Sequence, residues 1–315
     1  MTQISKYLTQ RLQLRCICGA EGGIIVRRRD RFNLRFQYKL CLRCGHVRTG
    51  NPLTQEAATS FYTSSDYRSM YFPGEEPRDV LLRKSPKPKS RTPLLEFVTR
   101  HGGATGTIIE WGCGGGWNLV AFRDAGWSTF GFDFDRHYVD LGRNLLKLDL
   151  RQIGPEADAS AKLLNPDVIL LNHVLEHALD PKALLDRLRT FCDTRTVVVV
   201  GVPLLETIKL WRWKPFFHIA HIHYFSSQTL KLVAKQAGFT VIHESVDKGL
   251  FVLKIDDGAS TAVSKPELAS VIRSSAFLTA GFLDSRHRIR SIVRFVLARV
   301  GLLEVARQIR LRKRR

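Results

Sequence analysis

The sequence has 315 residues, and its 44% hydrophobic content and mean hydropathy of −0.11 are typical of a globular chain rather than a disordered one. Lysine and arginine outnumber aspartate and glutamate by 49 to 29, so we expect an anionic partner: nucleic acid, an acidic lipid surface or a phosphorylated substrate. No apolar run has the length of about 18 residues that a membrane span needs, and the first residues lack the apolar segment of a signal peptide. These features predict a cytoplasmic protein with one catalytic-sized domain and small appendages.

Four of the six cysteines form two close pairs near the N-terminus. Cys16 and Cys18 are separated by one residue, Cys41 and Cys44 by two, and each pair is followed by a glycine. The basic stretch between the pairs has alternating apolar residues, which predicts a short hairpin. In a cytoplasmic chain, such cysteine pairs bind a metal more often than they form disulfides. Thiolates from both pairs predict a tetrahedral zinc site, although the first pair is tighter than the usual C-x-x-C.

Proline, glycine and basic residues divide the chain. The run RKSPKPKSR at residues 83–91 predicts a linker. We expect it to join a cysteine-rich zinc module and connecting helix, residues 1–82, to a catalytic domain, residues 92–256. Residues 257–315 are expected to form a joint and a basic tail.

The expected catalytic domain alternates apolar runs with helical stretches, beginning with a helix at 92–101, and this pattern predicts an α/β fold. Two late runs, 240–246 and 250–255, are close enough to pair as an antiparallel hairpin. Four earlier runs are short and apolar enough for buried parallel strands: residues 107–111, 129–133, 168–172 and 196–200. The sequence therefore predicts a mostly parallel sheet that ends in a hairpin.

A glycine-rich turn, EWGCGGG, follows the first predicted strand. Its glycines Gly112, Gly114 and Gly116 let the backbone approach a ligand, and amides at the start of the next helix can hold polar groups. Glu110 lies just before the turn. Asp133 ends the second predicted strand about 20 residues on, where a carboxylate can accept hydrogen bonds from ribose hydroxyls.

The segment IIEWGCGGGWNLVAFRDAGWSTFGFDFD resembles the first two motifs of the class I S-adenosylmethionine-dependent methyltransferase family. The resemblance implies a Rossmann-like sheet and S-adenosylmethionine as the cofactor, bound by Glu110, the three glycines and Asp133. It places Glu110 on the side of the methionine amine. Asn172, which ends the third predicted strand, is assigned to the same cofactor site. The alternatives are a glycine turn that binds NAD and a simple tight turn.

The third predicted strand runs into H-V-L-E-H and then D-P, which resembles the fourth-strand motif of the same family. Because open α/β sheets gather ligand groups at the carboxyl ends of their strands, we expect His173, Glu176 and His177 to face the reaction site. One alternative reads H-x-x-E-H as an inverted zinc protease motif, which belongs on a continuous helix. The preceding strand and the nearby Pro181 disfavour it. Another alternative is that Glu176 and His177 only brace the loop.

Residues 215–225, PFFHIAHIHYF, with the following S-S-Q-T-L, resemble the H-x-x-F-S-x-x-T-L segment of one broad branch of the family. Its histidines and aromatic residues are expected to line an acceptor pocket, although each of them can instead serve only in packing. Methyl transfer from a sulfonium requires a positioned acceptor and, for a hydroxyl, removal of a proton. His173 or His223 is the predicted base.

The N-terminal part, through LCLRCGHVRTGNPLTQEAATSFYTSSDY, resembles the cysteine-rich module and phenylalanine–tyrosine helix that precede many bacterial methyltransferases of sugar and surface-polysaccharide pathways. The resemblance implies a sugar or glycan acceptor. The main rival is a zinc-containing RNA methyltransferase, which the positive charge also suits, but the sequence has no clear aromatic platform for RNA. A non-catalytic, cofactor-binding scaffold is the second alternative.

From Arg286 onward, apolar residues recur at helical spacing while arginines occupy the other faces. This pattern predicts a basic amphipathic helix, which either lies on an anionic membrane surface or packs on the domain. We therefore expect a cytoplasmic enzyme, with a peripheral location at the inner face of the membrane if the tail binds lipid.

Overall fold

The structure, a computed structural model, describes residues 4–207, 216–256 and 258. The strands in chain order are β1 (Ile24–Arg29), β2 (Arg35–Leu40), β3 (Val47–Thr49), β4 (Thr107–Trp111), β5 (Ser128–Asp133), β6 (Asp149–Gln152), β7 (Val168–Asn172), β8 (Val197–Gly201), β9 (His223–Tyr224), β10 (Phe239–Ser245) and β11 (Leu250–Ile255). The helices are α1 (Ser5–Leu8), α2 (Gln55–Tyr62), α3 (Ser65–Tyr71), α4 (Pro77–Lys84), α5 (Pro93–Gly102), α6 (Leu119–Asp124), α7 (Arg136–Leu146), α8 (Ala157–Leu163), α9 (Pro181–Arg189) and α10 (Ser227–Gln236).

Seven strands form the larger sheet, in the order β10-β11-β8-β7-β4-β5-β6. Its neighbouring strands pair in parallel from β8 to β6, while β11 pairs antiparallel with both β8 and β10. This is the predicted α/β, Rossmann-like arrangement with a terminal hairpin. All six predicted strands are confirmed, with ends within one residue.

Strand β6 was not predicted, and its position explains why. It lies at the edge of the sheet and has the sequence DLRQ, of which only Leu150 is buried. The central strands β7 and β8 are nearly all apolar and buried, because helices cover both faces of a parallel sheet. An edge strand with one buried residue leaves too little apolar pattern to recognise.

Side-chain caps set where several helices begin. The Thr92 hydroxyl accepts a hydrogen bond from the Leu95 amide at the start of α5, and Asp180 accepts one from the Ala183 amide at the start of α9. Each of these helices has proline at its first position, where no amide donor is needed. The predicted helix at 92–101 is therefore confirmed, shifted by one residue.

The smaller sheet has the order β1-β2-β3-β9 and is antiparallel throughout. Strands β1 and β2 form the hairpin expected between the cysteine pairs. The last strand, β9, comes from the range assigned to the catalytic domain, and it pairs with β3 through Val47 with Tyr224 and Arg48 with His223. A division of the chain at residues 83–91 therefore does not separate the two sheets.

Helix α4 also joins the two parts. It includes Arg83 and Lys84, the first two residues of the expected linker. Its Leu81 is fully buried and lies so close to Gly115 that a Cβ there would come within 2.6 Å of a Leu81 methyl. Helix α4 thus packs directly against the glycine-rich turn.

The predicted tail lies outside the described residues, as does all of the joint that begins at residue 257 except Gly258. Among the residues that are described, no helix has the length and apolarity required to cross a bilayer.

Candidate functional site

The glycine-rich turn lies at the point where the strand order of the larger sheet reverses. Strand β4 has β5 on one side and β7 on the other, so the loops after these strands open from the same edge. This is the position at which open α/β sheets bind ligands. Gly112 has a φ of +78°, and a Cβ there would lie 2.5 Å from a Val174 methyl, so glycine alone fits.

Asp133 ties the end of β5 to this turn. Its Oδ2 accepts a hydrogen bond of 2.6 Å from the Gly114 amide, and its Oδ1 accepts one of 2.8 Å from the Asp135 amide. Each carboxylate oxygen keeps a further lone pair, so the two can also accept hydrogen bonds from a pair of ribose hydroxyls. The position and remaining acceptor capacity fit the predicted contact with the cofactor.

Glu110 is buried at the base of the turn. Its Oε1 accepts a hydrogen bond of 2.6 Å from Asn118, while its Oε2 is buried with no partner in the described structure. Burial raises the pKa of Glu110 to about 8, and the bond from Asn118 opposes that rise. A buried carboxylate with an unpaired oxygen fits a cationic group such as the amine of S-adenosylmethionine. Asn118 was not predicted; its place just after the glycines was the available signal.

Gly116 and Asn172 complete the predicted cofactor set. Gly116 has a φ of +77°, and a Cβ there would lie 2.8 Å from a Leu148 methyl. Asn172 ends β7 beside Gly201 of β8, where a Cβ on Gly201 would lie 2.5 Å from the Asn172 side-chain oxygen. Asn172 thus lies at the sheet edge that carries the glycine-rich turn.

His173 follows β7 directly and has an unusual backbone conformation. Its φ is +57°, and its amide donates a hydrogen bond of 2.8 Å to the Gly201 carbonyl. This geometry leaves the side chain 61% exposed, with Nδ1 3.2 Å from Glu176 Oε1. The hydrogen-bond contact with Glu176 raises the pKa of His173 above its ordinary value.

Glu176 and His177 lie on a short 3-10 turn, Leu175–His177, and α9 begins separately at Pro181. The H-x-x-E-H sequence is therefore carried by a strand end and a turn, not by the continuous helix that a zinc protease requires. The Glu176 side chain has 0% exposure, and its Oε1 lies 3.8 Å from Nε2 of His177 and 3.8 Å from Nε2 of His221. Three histidines thus surround one buried carboxylate.

Tyrosines from the N-terminal helices complete this cluster. The Tyr62 hydroxyl donates to the Ala220 carbonyl at 2.9 Å, and His177 Nδ1 lies 2.8 Å from the same oxygen. Tyr71 of α3 is hydrogen-bonded to His218 at 2.6 Å. These tyrosines were not predicted as site residues, although Tyr62 belongs to the predicted phenylalanine–tyrosine helix.

His223, one of the two predicted bases, lies apart from the three histidines that surround Glu176. His223 is 2% exposed; its Nδ1 is 2.9 Å from Nε2 of His46 and its Nε2 is 3.4 Å from the Leu179 carbonyl. Burial lowers its pKa to about 4. Its ring is enclosed on the smaller sheet, so it does not face an acceptor. His221, two residues earlier, is the histidine that reaches Glu176.

The four N-terminal cysteines converge as predicted. Cys16 Sγ lies 3.5 Å from Cys44 Sγ, and Cys18 Sγ lies 3.6 Å from Cys41 Sγ. All four sulfur atoms are within 4.8 Å of one another and are buried. Each pair is closed by a backbone turn, from the Gly19 amide to the Cys16 carbonyl and from the Gly45 amide to the Cys41 carbonyl. Four converging thiols with turned backbones fit one tetrahedral metal ion.

Comparison with known sequences gives one family match. The family described as "Methyltransferase domain" matches residues 72–244, which is more than half of the chain. No curated protein matches the chain.

Comparison with solved structures gives distant similarities. Magnesium protoporphyrin IX methyltransferase from Synechocystis PCC 6803 is 13% identical, with a TM-score of 0.42, and the match covers 64% of this chain and 100% of that one. An O-methyltransferase family protein from Burkholderia thailandensis is 14% identical, with a TM-score of 0.45, covering 65% of this chain and 63% of that one. The 1,6-didemethyltoxoflavin-N1-methyltransferase of the same organism is 18% identical, with a TM-score of 0.44, covering 71% and 100%.

Proposed function

The chain belongs to the methyltransferase-domain family and is an S-adenosylmethionine-dependent enzyme, and on that premise we propose that it methylates a hydroxyl group of a sugar or of a phosphorylated or lipid-linked glycan. Such an acceptor belongs to surface-polysaccharide biosynthesis. The cofactor supplies the methyl group from its sulfonium. In this proposal Asp133 binds the ribose hydroxyls and Glu110 binds the amine, while the glycine-rich turn admits the cofactor to the sheet edge.

One observation carries the choice of acceptor: the N-terminal helices contribute to the site beside β7. Tyr62 and Tyr71 present aromatic rings and hydroxyls next to His177 and His218. A sugar has apolar C–H faces as well as hydroxyls, and amphipathic rings of this kind suit both. The guanidinium of Arg31 lies 4.7 Å from the centre of the Tyr71 ring, where a cation can bind the phosphate of a phosphorylated acceptor.

His173 is the group we propose as the proton acceptor for the hydroxyl. Its ring is the most exposed of the three that contact Glu176, and it follows β7 at the sheet edge that carries the glycine-rich turn. Glu176 holds the ring through Nδ1, which leaves Nε2 for the acceptor. A base held in this way can orient the acceptor hydroxyl for in-line attack on the methyl group of the cofactor.

The test is transfer of a labelled methyl group from S-adenosylmethionine to sugar nucleotides, lipid-linked glycans and RNA offered separately. We expect label in a sugar-containing acceptor, with transfer slowed about 100-fold or more in His173→Ala and unchanged cofactor binding. His101→Ala, on a helix remote from the motif, is the matched control. Label in RNA alone favours the RNA methyltransferase, and bound cofactor without any transfer favours the scaffold.

We also propose that the cysteine cluster binds zinc. The support is the number, type and convergence of the ligands, since four thiolates form a closed structural site. Such a site contributes to folding rather than to chemistry. The cluster contacts α10, where Gln236 donates a hydrogen bond of 3.2 Å to the Ile17 carbonyl between the first two cysteines.

The basic tail supports a location at the inner face of the membrane. If its apolar positions enter the lipid interface, aspartate at Ile292, Val296 and Leu303 should abolish co-sedimentation with anionic vesicles although every arginine is retained. If the tail serves RNA, those changes should have little effect, and neutralising the arginines should instead weaken binding and flatten its salt dependence.

A further inference from the structure

The carboxylate of Glu176 has no strong partner for its buried negative charge. The side chain is fully buried, and its ion contacts are with His173, His177 and His221. Its Oε1 is 3.2 Å from Nδ1 of His173 but 3.8 Å from Nε2 of each of the other two rings, beyond hydrogen-bond distance. Its Oε2 is a buried atom without a hydrogen-bond partner in the described structure. An ionised carboxylate in this position needs a compensating charge.

The hydrogen bonds of His177 determine which of its nitrogens faces Glu176 as an acceptor. Its Nδ1 lies 2.8 Å from the Ala220 carbonyl, which can only accept, so Nδ1 carries the proton. In the neutral ring, Nε2 then presents a lone pair toward Glu176 Oε1. Two acceptors facing each other across 3.8 Å repel unless a cation lies between them.

We propose that Glu176, His177 and His221 bind one divalent cation of the first transition series, at a site separate from the four cysteines. The ligand atoms of these three residues lie within 4.8 Å of one another. Two imidazoles and one carboxylate are a donor set that such cations accept, and a set without thiolate also admits the harder ion Mn²⁺. The bond from His177 to the Ala220 carbonyl is the outer contact that typically orients a metal-binding histidine.

Backbone contacts hold the three ligands at the same sheet edge as the cofactor cradle. The Ile222 amide donates a hydrogen bond of 2.9 Å to the Glu176 carbonyl, which joins the histidine loop, residues 218–223, to the turn after β7. Val174, between His173 and Glu176, packs against Gly112 of the glycine-rich turn. A cation held here would lie at the sheet edge that carries the glycine-rich turn, where it would supply Lewis-acid polarisation of an acceptor hydroxyl. That role rests on the proposed function, whereas binding of the cation does not.

Mn²⁺ titration of protein that carries one equivalent of zinc tests the site, because the four thiolates retain the zinc and Mn²⁺ prefers nitrogen and oxygen ligands. Free Mn²⁺ is followed by its electron paramagnetic resonance signal, which weakens when the ion binds. We expect one equivalent to bind to the wild type, with affinity lowered at least about tenfold in Glu176→Gln and in His221→Ala. The control is His101→Ala, whose ring contacts His243 and none of the three proposed ligands; this variant should bind Mn²⁺ as the wild type does.

S-adenosylmethionine affinity and the thermal transition of each variant separate the loss of a ligand from the loss of the fold. If Glu176→Gln does not fold, the variant His177→Gln is used instead, because it removes the ring nitrogen that faces Glu176. No Mn²⁺ binding to the wild type, or equal affinity in the folded variants, overturns the cation site. If the protein transfers methyl groups but binds no Mn²⁺, the cation site is wrong and the proposed function stands. If it binds Mn²⁺ but transfers methyl groups to no acceptor, the cation site stands and the proposed function is wrong.

Discussion

Nε2 of His46 and Nδ1 of His223 share a buried hydrogen bond of 2.9 Å between the cysteine module and the histidine loop. His46 lies two residues after Cys44, and His223 lies two residues after His221. Two further contacts join the same segments: β3 pairs with β9, and the Thr49 hydroxyl donates a hydrogen bond of 2.9 Å to the His221 carbonyl. The module therefore forms one wall that holds the histidine loop, so its integrity should affect the acceptor side of the site.

Removing one ring of this pair should destabilise the protein. His46→Ala leaves the His223 nitrogen buried without its partner, which we expect to cost about 1–3 kcal/mol in the free energy of unfolding. Urea denaturation measures the loss. His243→Ala removes an exposed ring that contacts the His101 ring, and it should change the free energy of unfolding by less than about 0.5 kcal/mol. Equal stabilities of the two variants would show that the buried pair does not join the module to the loop.

Loss of the cysteine ligands should remove zinc and loosen the same wall. The double change Cys41→Ser with Cys44→Ser should remove one equivalent of zinc in elemental analysis, because a closed tetrahedral site needs thiolates from both pairs. Cys192→Ser, outside the cluster, is the control and should keep the metal. Wild-type protein without zinc, in which all four cluster thiols react freely with a thiol reagent, is the result that refutes the site.

Glu110 should make stability depend on pH. Its pKa rises from an ordinary 4.5 to about 8 in the folded chain, so the folded state disfavours the ionised form. Without cofactor, the contribution of Glu110 to the free energy of unfolding should therefore fall as pH rises from about 5 to about 8. Glu110→Gln lacks this titration, so its stability relative to the wild type should increase over that range, as measured by urea denaturation at each pH.

The same Glu110→Gln variant should bind S-adenosylmethionine more weakly at pH 8, because the uncharged amide cannot pair with the amine of the cofactor. Asn118→Ala provides a comparison, since it removes the hydrogen bond to Glu110 but keeps the carboxylate. A constant stability difference between Glu110→Gln and wild type across the pH range would contradict the burial of an ionisable group at this position.

The parts of this structure that sequence patterns predicted are those that depend on local order. A few neighbouring residues suffice to recognise the glycine-rich turn, Asp133 at the end of a strand, and the apolar strand before His173. The four cysteines are recognisable as metal ligands from their spacing. The parts that were missed depend on contacts between distant segments. The two residues of β9 are recognisable as a strand only because β3 lies beside them, and Tyr62 reaches His177 only after α2 packs against the histidine loop.

The position of His223, one of the two predicted bases, depended on the same kind of long-range contact. His221 and His223 are two residues apart and would share one face of a regular strand, but only His223 belongs to β9. The pairing of His223 with Arg48 and its hydrogen bond to His46 hold its ring on the smaller sheet, whereas His221 lies before the strand and approaches Glu176. No feature within the segment itself reports that pairing.

Titration calorimetry with S-adenosylmethionine and its demethylated product tests the cofactor cradle most directly. The account predicts that the wild type binds both ligands, and that Asp133→Ala weakens both by about 10- to 100-fold through loss of charge-assisted hydrogen bonds to the ribose. Asp149→Ala, which removes an exposed carboxylate paired with Arg151, should bind both like the wild type. Wild-type protein that gives no binding heat with either ligand but binds NAD would contradict the account.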